Sequence, residues 1–569
     1  MFPLFYLLIR FPWIERPLKN LNRKELSWLS KTHKATRGFR AWLARLVPRG
    51  GVGYLRFDSG RPVDLLPGHL FAVVWLIFFV ALYIWTGWRG YNVLLHPDHF
   101  ARPIGSDTVI VYVLILLTML CWGLAGLTFF LDRYRFPVLV FLFMAAFLAS
   151  HLWRSDHTYD TTELREMVHF WTPKEVMERA PNRMIVVAAA GGGIQAAAWT
   201  SEVLCGLRKA IGQKFDGSVV AISGVSGGSV GTLFYLGCSD SDSGKTAMAG
   251  AAQQSSLEAV AWGLVHPDLQ RATLPLHMFP WSERDRGWAL EKSIVNHAKF
   301  NMKDRLLASL ADLTQHPVLL LNSTVAETGQ PFVFTNSRFP LSEKECGSPS
   351  GGIENFHEVY PHRDVRLETA VRMSAAFPFV LPVARADQAD SAHHLADAGY
   401  FDNSGLYSLM VWLNQATSCK GTKMASDVKG KEVLILVIDA FPRGTPRANR
   451  NKQRSWTYQS YAPLSTMLHV RTEGQIVRDA IEIADLKSLL EARGLNAHVL
   501  EFRYDPPQSH RNLFKEARES KCEADPPLSW HLTDMEKRCI EKAWEEKKGL
   551  VDSAKAFLNG NKDSGRGKK

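Results

Sequence analysis

Cysteine is scarce. Seven in 569 residues are too few for a disulfide-dense secreted scaffold. Their positions, 121, 205, 238, 346, 419, 522 and 539, contain no CxxC and no zinc-ligand spacing. HExxH, an EF-hand loop, GxGxxG and GxxxxGK[ST] are all missing, so no metal or nucleotide cofactor is expected. No internal repeat is found. The apolar start, MFPLFYLLIRFPWIE, lacks a positive n-region and a small-residue cleavage site. It is also too short to span a bilayer, and reads as an interfacial segment.

Long uncharged runs, by contrast, are plentiful. Residues 70–88, 108–131 and 137–153 are apolar throughout, and the first two reach the ~20 residues a transmembrane helix needs. Backbone groups in lipid must be satisfied internally, so these runs are expected to be helices. Residues 1–69 carry 13 Lys/Arg against four Asp/Glu, most of the chain's net charge of +11. Beside membrane spans, this excess fits anionic lipid head groups and a cytoplasmic N-terminus better than nucleic acid. Arg133 and Arg135 in the short connection 132–135 point the same way. Three spans would put everything after 153 on the opposite side; two would reverse that.

From 184 to 440 the texture is α/β. Short continuous apolar runs at 184–190, 218–223, 316–326, 331–336 and 432–440 read as strands, with helices predicted at 195–212 and 227–237. Such alternation predicts a mostly parallel sheet covered on both faces, a three-layer α/β/α sandwich. Residues 441–569 read as a helical extension with a basic tail.

Three motifs carry chemistry. Gly224-Val225-Ser226-Gly227-Gly228 is a G-x-S-x-G between a predicted strand and a predicted helix. A chain this long shows that pattern by chance roughly one time in five, so its context matters more than the pattern. A strand-to-helix turn exposes a serine Oγ, and flanking glycines tolerate the tight geometry. Gly191-Gly192-Gly193 likewise follows a strand and opens a helix. Its backbone N–H groups could cradle a phosphate or an oxyanion, and the serine downstream favours the oxyanion. In the segment from His394 to Asn403, Asp397 is followed by small residues and is a candidate general base. Equally, it could be a turn aspartate, with Asp402 and Asn403 capping the next helix.

In this order the three motifs, with the segment 370–382 (AVRMSAAFPFVLP) between the last two, resemble the patatin-like phospholipase family. The resemblance covers 184–440. It implies a Ser-Asp dyad, with Ser226 as nucleophile, Asp397 as base and the 191–193 loop as oxyanion hole. Membrane lipids would then be both substrate and anchor. The sequence departs from the family at two places. It has DAG where DGG or DGA is usual, and Gln195 where the family usually has Arg or Lys. Two other readings remain open. A Ser-Asp-His triad hydrolase would draw on His469, His498, His510 or His531. A non-catalytic lipid-binding or scaffold protein would turn nothing over.

Overall fold

The computed structural model describes residues 55–58, 61–65, 67–97, 107–132, 137–152, 156–165, 168–238, 248–273, 279–298, 308–314, 317–377, 380–387, 393–418, 430–441, 462, 478–506, 522 and 530–560. Most of the basic N-terminal region, the connection 133–136 and the basic tail lie outside them. The chain divides into two compact units, one of residues 1–92 and 107–150, the other of 93–106 and 151–569.

In the first unit, β1 (Leu55–Asp58) and β2 (Arg61–Leu65) form an antiparallel hairpin. Three helices follow: α1 (Pro67–Leu95), α2 (Asp107–Asp132) and α3 (Val138–Leu152). They coincide with the three apolar runs of the sequence. At 1.5 Å per residue, α1 and α2 are each roughly 40 Å long and α3 only roughly 22 Å, against an apolar bilayer core of about 30 Å. Among the described residues one stretch, Val109–Thr128 of α2, is long and apolar enough to cross a membrane. All three helices expose large apolar side chains, with Ile77 at 57%, Ile110 at 62% and Phe143 at 76%.

The second unit is built on an eight-stranded sheet. Its strands are β3 (Arg183–Ala189), β4 (Val219–Gly224), β5 (Val318–Val325), β6 (Pro331–Thr335), β7 (Glu354–Asn355), β8 (Leu395–Asp397), β9 (Glu432–Asp439) and β10 (Asn496–Arg503). The spatial order is β10-β9-β3-β4-β5-β6-β7, and β8 also pairs with β5. Pairing is parallel from β10 through β5 and between β6 and β7; β6 and β8 both run antiparallel to β5.

Period-two alternation sorts the central strands onto two cores. Ile185 and Val187 of β3 face a cluster containing Trp199, Leu204 and Leu233; Met184, Val186 and Ala188 face Leu409, Trp412 and Leu413. After the short α4 (Pro173–Arg179), α5 (Gly193–Ile211) and α6 (Gly227–Leu236) supply Trp199, Leu204 and Leu233. The opposite face is covered by α10 (Leu406–Ser418), which follows α7 (Leu257–Gly263), α8 (Arg286–His297) and α9 (Leu367–Ser374) in the chain. Both faces of the mostly parallel sheet are therefore covered, as the apolar, uninterrupted strands require.

The end of the α/β region at 440 needs correction. The strand β10 pairs with all eight residues of β9, so the sheet continues into what the sequence presents as a helical extension. Its alternation of buried and exposed positions, with polar His498, Glu501 and Arg503, is that of an edge strand and lacks the continuous apolar signal of the centre. Beyond it, α11 (Asp534–Glu545) and α12 (Lys548–Asn559) bury Ile540, Ala543 and Leu558 in the core shared with α5. Indole atoms of Trp544 lie where a side chain on Gly206 would point.

A buried charge cluster braces α9. Arg372 is 2% exposed and donates to Glu291 Oε1 at 3.0 Å and to Asp285 Oδ2 at 3.3 Å. His157 Nδ1 lies 3.1 Å from the same Asp285 oxygen. Burial alone would raise the Asp285 pKa, but Arg372 and His157 more than offset it and hold it below the ordinary carboxylate range. Glu368, one turn earlier on α9, is compensated only in part by Lys292 and Arg366: burial, then Glu291, pushes its pKa up to about 7. Its proton stays on in the fold while the unfolded carboxyl ionises above about 4.5. Stability therefore falls as pH rises from about 4.5 to about 7, and the penalty is complete above that. Glu368→Gln is expected to raise the melting temperature at pH 8 and leave it unchanged at pH 4. Thermal melts at the two pH values check this.

Candidate active site

Ser226 sits between the end of β4 and the start of α6, with φ 50° and ψ −120°. It is the one non-glycine residue with positive φ among those described. A backbone like this costs of order 1–3 kcal/mol and persists only where its surroundings over-determine it. Here they do. The Ser226 N–H donates to Ser374 Oγ at 3.0 Å, and that hydroxyl is 2.7 Å from Ser229 Oγ. Val225 N–H donates to the Ala189 carbonyl at 3.1 Å. Asn322 Nδ2 donates to the Gly224 carbonyl and to Ser223 Oγ, each at 2.9 Å. The turn is thus held from β3, β5 and α9 at once, which ties the charge cluster behind α9 to the serine.

Asp397 arrives by a different route. β4 pairs with β5 through Gly224 opposite Leu321, and β8 pairs with it through Asp397 opposite Ser323. Two residues of β5, about 7 Å, separate those registers. Where β4 leaves the sheet for the Ser226 turn, β8 enters with Asp397 at its leading end. Asp397 N–H donates to the Ala376 carbonyl at 3.1 Å, and Thr324 Oγ1 donates to the Asp397 carbonyl at 3.1 Å. Its Oδ1 accepts from Gly399 N–H at 2.7 Å. Both Ser226 and Asp397 are about 5% exposed.

The glycine loop closes the site. Gly191 N–H donates to the Asn403 carbonyl at 2.8 Å. A Cβ on Gly191 would come within 3.2 Å of the Ser226 Cβ and collide with Asn403 Oδ1. On Gly399 it would lie 2.9 Å from both Asn403 Oδ1 and Asp397 Oδ1. Asn403 therefore links the loop beside Ser226 to the loop after Asp397. Its neighbour Asp402 does cap the next helix, accepting from Ser404 N–H at 2.9 Å and Tyr407 N–H at 3.1 Å. The sequence signals a cap at this pair; the bridging role of Asn403 had no signal of its own, because it depends on a contact between loops distant in sequence.

Gly191 spends its amide on Asn403, so among the described residues it is the loop glycine whose N–H is seen engaged. Gly193 begins α5, and the N–H groups of a helix's first turn have no intrahelical acceptor. Gly192, at φ 146°, takes a conformation closed to other residues. The flanking glycines of the serine turn are equally constrained. A Cβ on Gly227 would overlap the Gly193 carbonyl oxygen, and one on Gly228 the Ala189 carbonyl oxygen; Gly224 would meet Ser229 Oγ at 2.9 Å. Gly227→Ala must push the serine turn and the glycine loop apart, and is expected to cut activity by at least about 10²-fold. Initial rates on a chromogenic ester, beside a melting curve, check it.

Residues 187–410, from β3 through α10, match the family model for patatin-like phospholipases. The chain carries a patatin-like phospholipase domain. It is the domain of lipid ester hydrolases. No curated protein matches the sequence. Among solved structures, VipD from Legionella pneumophila matches at 11% identity over 70% of each chain, with a TM-score of 0.26.

Within this patatin-like domain Gln195 is buried, 3% exposed, in the first turn of α5, and its Nε2 has no hydrogen-bond partner among the described residues. Of the histidines weighed for a triad, His498 lies mid-strand on β10, against Phe557. Three strand spacings, about 14 Å, separate β10 from β4. His531 is in the segment entering α11, and His469 and His510 lie outside the described residues. His393 and His394 pair with Glu354 at 2.8 Å and Glu327 at 2.6 Å.

Proposed function

We propose that this protein is a membrane-anchored serine acylhydrolase that cleaves carboxylic esters of lipids with a Ser226–Asp397 dyad. The observation that carries the reading is the strained Ser226 turn, held against the glycine loop, with Asp397 delivered in line with it on β5.

In the proposed reaction Ser226 Oγ attacks the ester carbonyl carbon while the Asp397 carboxylate takes its proton. The oxyanion is held by N–H groups of Gly192 and Gly193 at the N-terminus of α5, where the helix dipole favours negative charge. Asp397 returns the proton to the departing alkoxide, leaving an acyl-serine. Water then attacks the acyl carbon, Asp397 takes its proton, and the acid leaves as Ser226 recovers its hydrogen. Gly191 acts by joining the loop to Asn403.

The anchoring part of the proposal rests on Val109–Thr128 of α2, with α1 and α3 as further spans, the N-terminus cytoplasmic and its basic residues against anionic head groups. Bilayer residence brings the hydrolase to substrates that never leave the interface.

Labelling detergent-solubilised protein with a fluorophosphonate tests the dyad. The reading expects wild type to label and both Ser226→Ala and Asp397→Asn, folded by circular dichroism, to stay dark. Well-folded wild type that does not label rejects catalysis in favour of a binding or scaffold role. Labelling that survives Asp397→Asn but fails on replacing one of the four triad histidines assigns the base to that histidine.

A further inference from the structure

Cys205 lies on α5 and Cys238 just beyond α6, 33 residues apart in sequence, and their sulfurs are 2.6 Å apart. Both are fully enclosed, at 3% and 0% exposure. That separation is well inside ordinary non-bonded contact and little longer than the roughly 2.05 Å of a disulfide bond. The pair is not an isolated oddity. Cys522 and Cys539 form a disulfide in the same unit, and Cys346 is disulfide-bonded as well. Every described cysteine of the α/β unit thus has a sulfur partner at or near bonding distance. Among the described cysteines, Cys205 and Cys238 stand as thiols in this short contact, and Cys121, in α2 of the other unit, is exposed.

We propose that Cys205 and Cys238 form a buried disulfide tying α5 to α6, and that the α/β unit therefore matures in an oxidising, extracytoplasmic compartment. Cytosolic thiols are kept reduced, and a unit with all its described cysteines arranged in pairs belongs where disulfides persist. This location is also the one an odd number of spans gives to residues after 153 when the basic N-terminus stays inside.

The chemistry is thiol–disulfide exchange with a disulfide oxidant, a small molecule or a protein dithiol couple. One cysteine thiolate attacks the oxidant's disulfide, forming a mixed disulfide and expelling one oxidant thiolate. The other cysteine then attacks the mixed disulfide at its own partner's sulfur, closing the Cys205–Cys238 bond and expelling the second. Two electrons pass to the oxidant and two protons are released from the cysteines. In the folded core with both thiols still reduced, the hydrogen bond between Cys205 and Cys238, together with burial, holds the Cys205 pKa well above the ordinary thiol value. Exchange must therefore precede closure of the core, and the bond once made is out of a reductant's reach until the domain unfolds.

The bond would have a specific target. The N-terminus of α5 carries Gly192 and Gly193, and that of α6 carries Ser226 and Gly227. A cross-link between these helices fixes the spacing of glycine loop and serine turn from behind.

The test is peptide mapping of the full-length protein from membranes quenched in acid, denatured without reductant and treated with N-ethylmaleimide. It does not depend on turnover, so it stands apart from the hydrolase reading. The expected result is a linked Cys205–Cys238 peptide pair with no maleimide, and modification of Cys121. Maleimide on Cys205 and Cys238 overturns the proposal, whether or not Cys522–Cys539 is linked. A second measurement uses the Cys205→Ala/Cys238→Ala double variant. Its melting temperature should fall by roughly 5–15 °C, and adding reductant to unfolded protein before refolding should lower wild type by more than it lowers the double variant, because the Cys522–Cys539 and Cys346 disulfides are lost in both. A reductant effect of equal size in the double variant would also reject the bond.

Discussion

Ser226→Ala and Ser226→Gly are expected to be equally dead and unequally stable. On the proposed mechanism, in which Ser226 Oγ carries the acyl group, either change should lower ester turnover by on the order of 10⁴–10⁶-fold. Alanine keeps the side-chain Cβ that makes φ 50° costly, so its stability should stay near wild type. Glycine adopts positive φ freely and should recover about 1 kcal/mol or more of the stored strain, less its own entropy cost in the unfolded chain. The measurement is paired: hydrolysis rates for both variants and denaturant midpoints on the same preparations. If glycine is less stable than alanine, strain at this turn is not what the surroundings are holding in check.

Arg372→Met should be the most damaging substitution outside the site. It leaves Asp285, held ionised by that guanidinium, and Glu291 facing each other in a dry interior. Stranding a buried charge in this way costs about 3–5 kcal/mol. Space for the guanidinium is built in, because a Cβ on Gly287 would collide with it. Activity should fall with stability, since Ser374 at the end of the same helix accepts the Ser226 amide hydrogen bond. Chemical denaturation and single-turnover acylation of the surviving folded fraction check both parts. A variant of full stability would mean that Asp285 and Glu291 pick up protons at little cost. That outcome is readable as a melting temperature that drops only at alkaline pH.

The central fold was legible because its strands are buried on both faces. MIVVAAA carries no polar residue and EVLILVIDA only Glu432 and Asp439 near its ends, and the observed strand ends fall within a residue of the apolar runs. β10 escaped because one of its faces is partly wet and its sequence, NAHVLEFR, resembles an amphipathic surface segment. The motifs pointed to Ser226, Asp397 and the glycine loop through turn chemistry. What a linear pattern cannot carry is which partners hold a turn in place. Ser374, Asn322 and Asn403 act through contacts across the sheet, and although segment 370–382 and the 402–403 cap are visible in the sequence, those partnerships are not. For cysteine the count was informative and the spacing was not, because pairing between α5 and α6 is fixed by helix packing.

The register of β5 has a consequence for synthesis. One strand measures off the positions of both Ser226 and Asp397, and β8 pairs with β5 just beyond the residues that β4 pairs with. Ser226 leaves the ribosome long before Asp397, and the edge formed by β9 and β10 comes later still. On the proposed dyad, a growing chain thus presents a serine with no base and an unfinished sheet. Such a hydrolase stays silent until Asp397 and the strands of the far edge have been delivered.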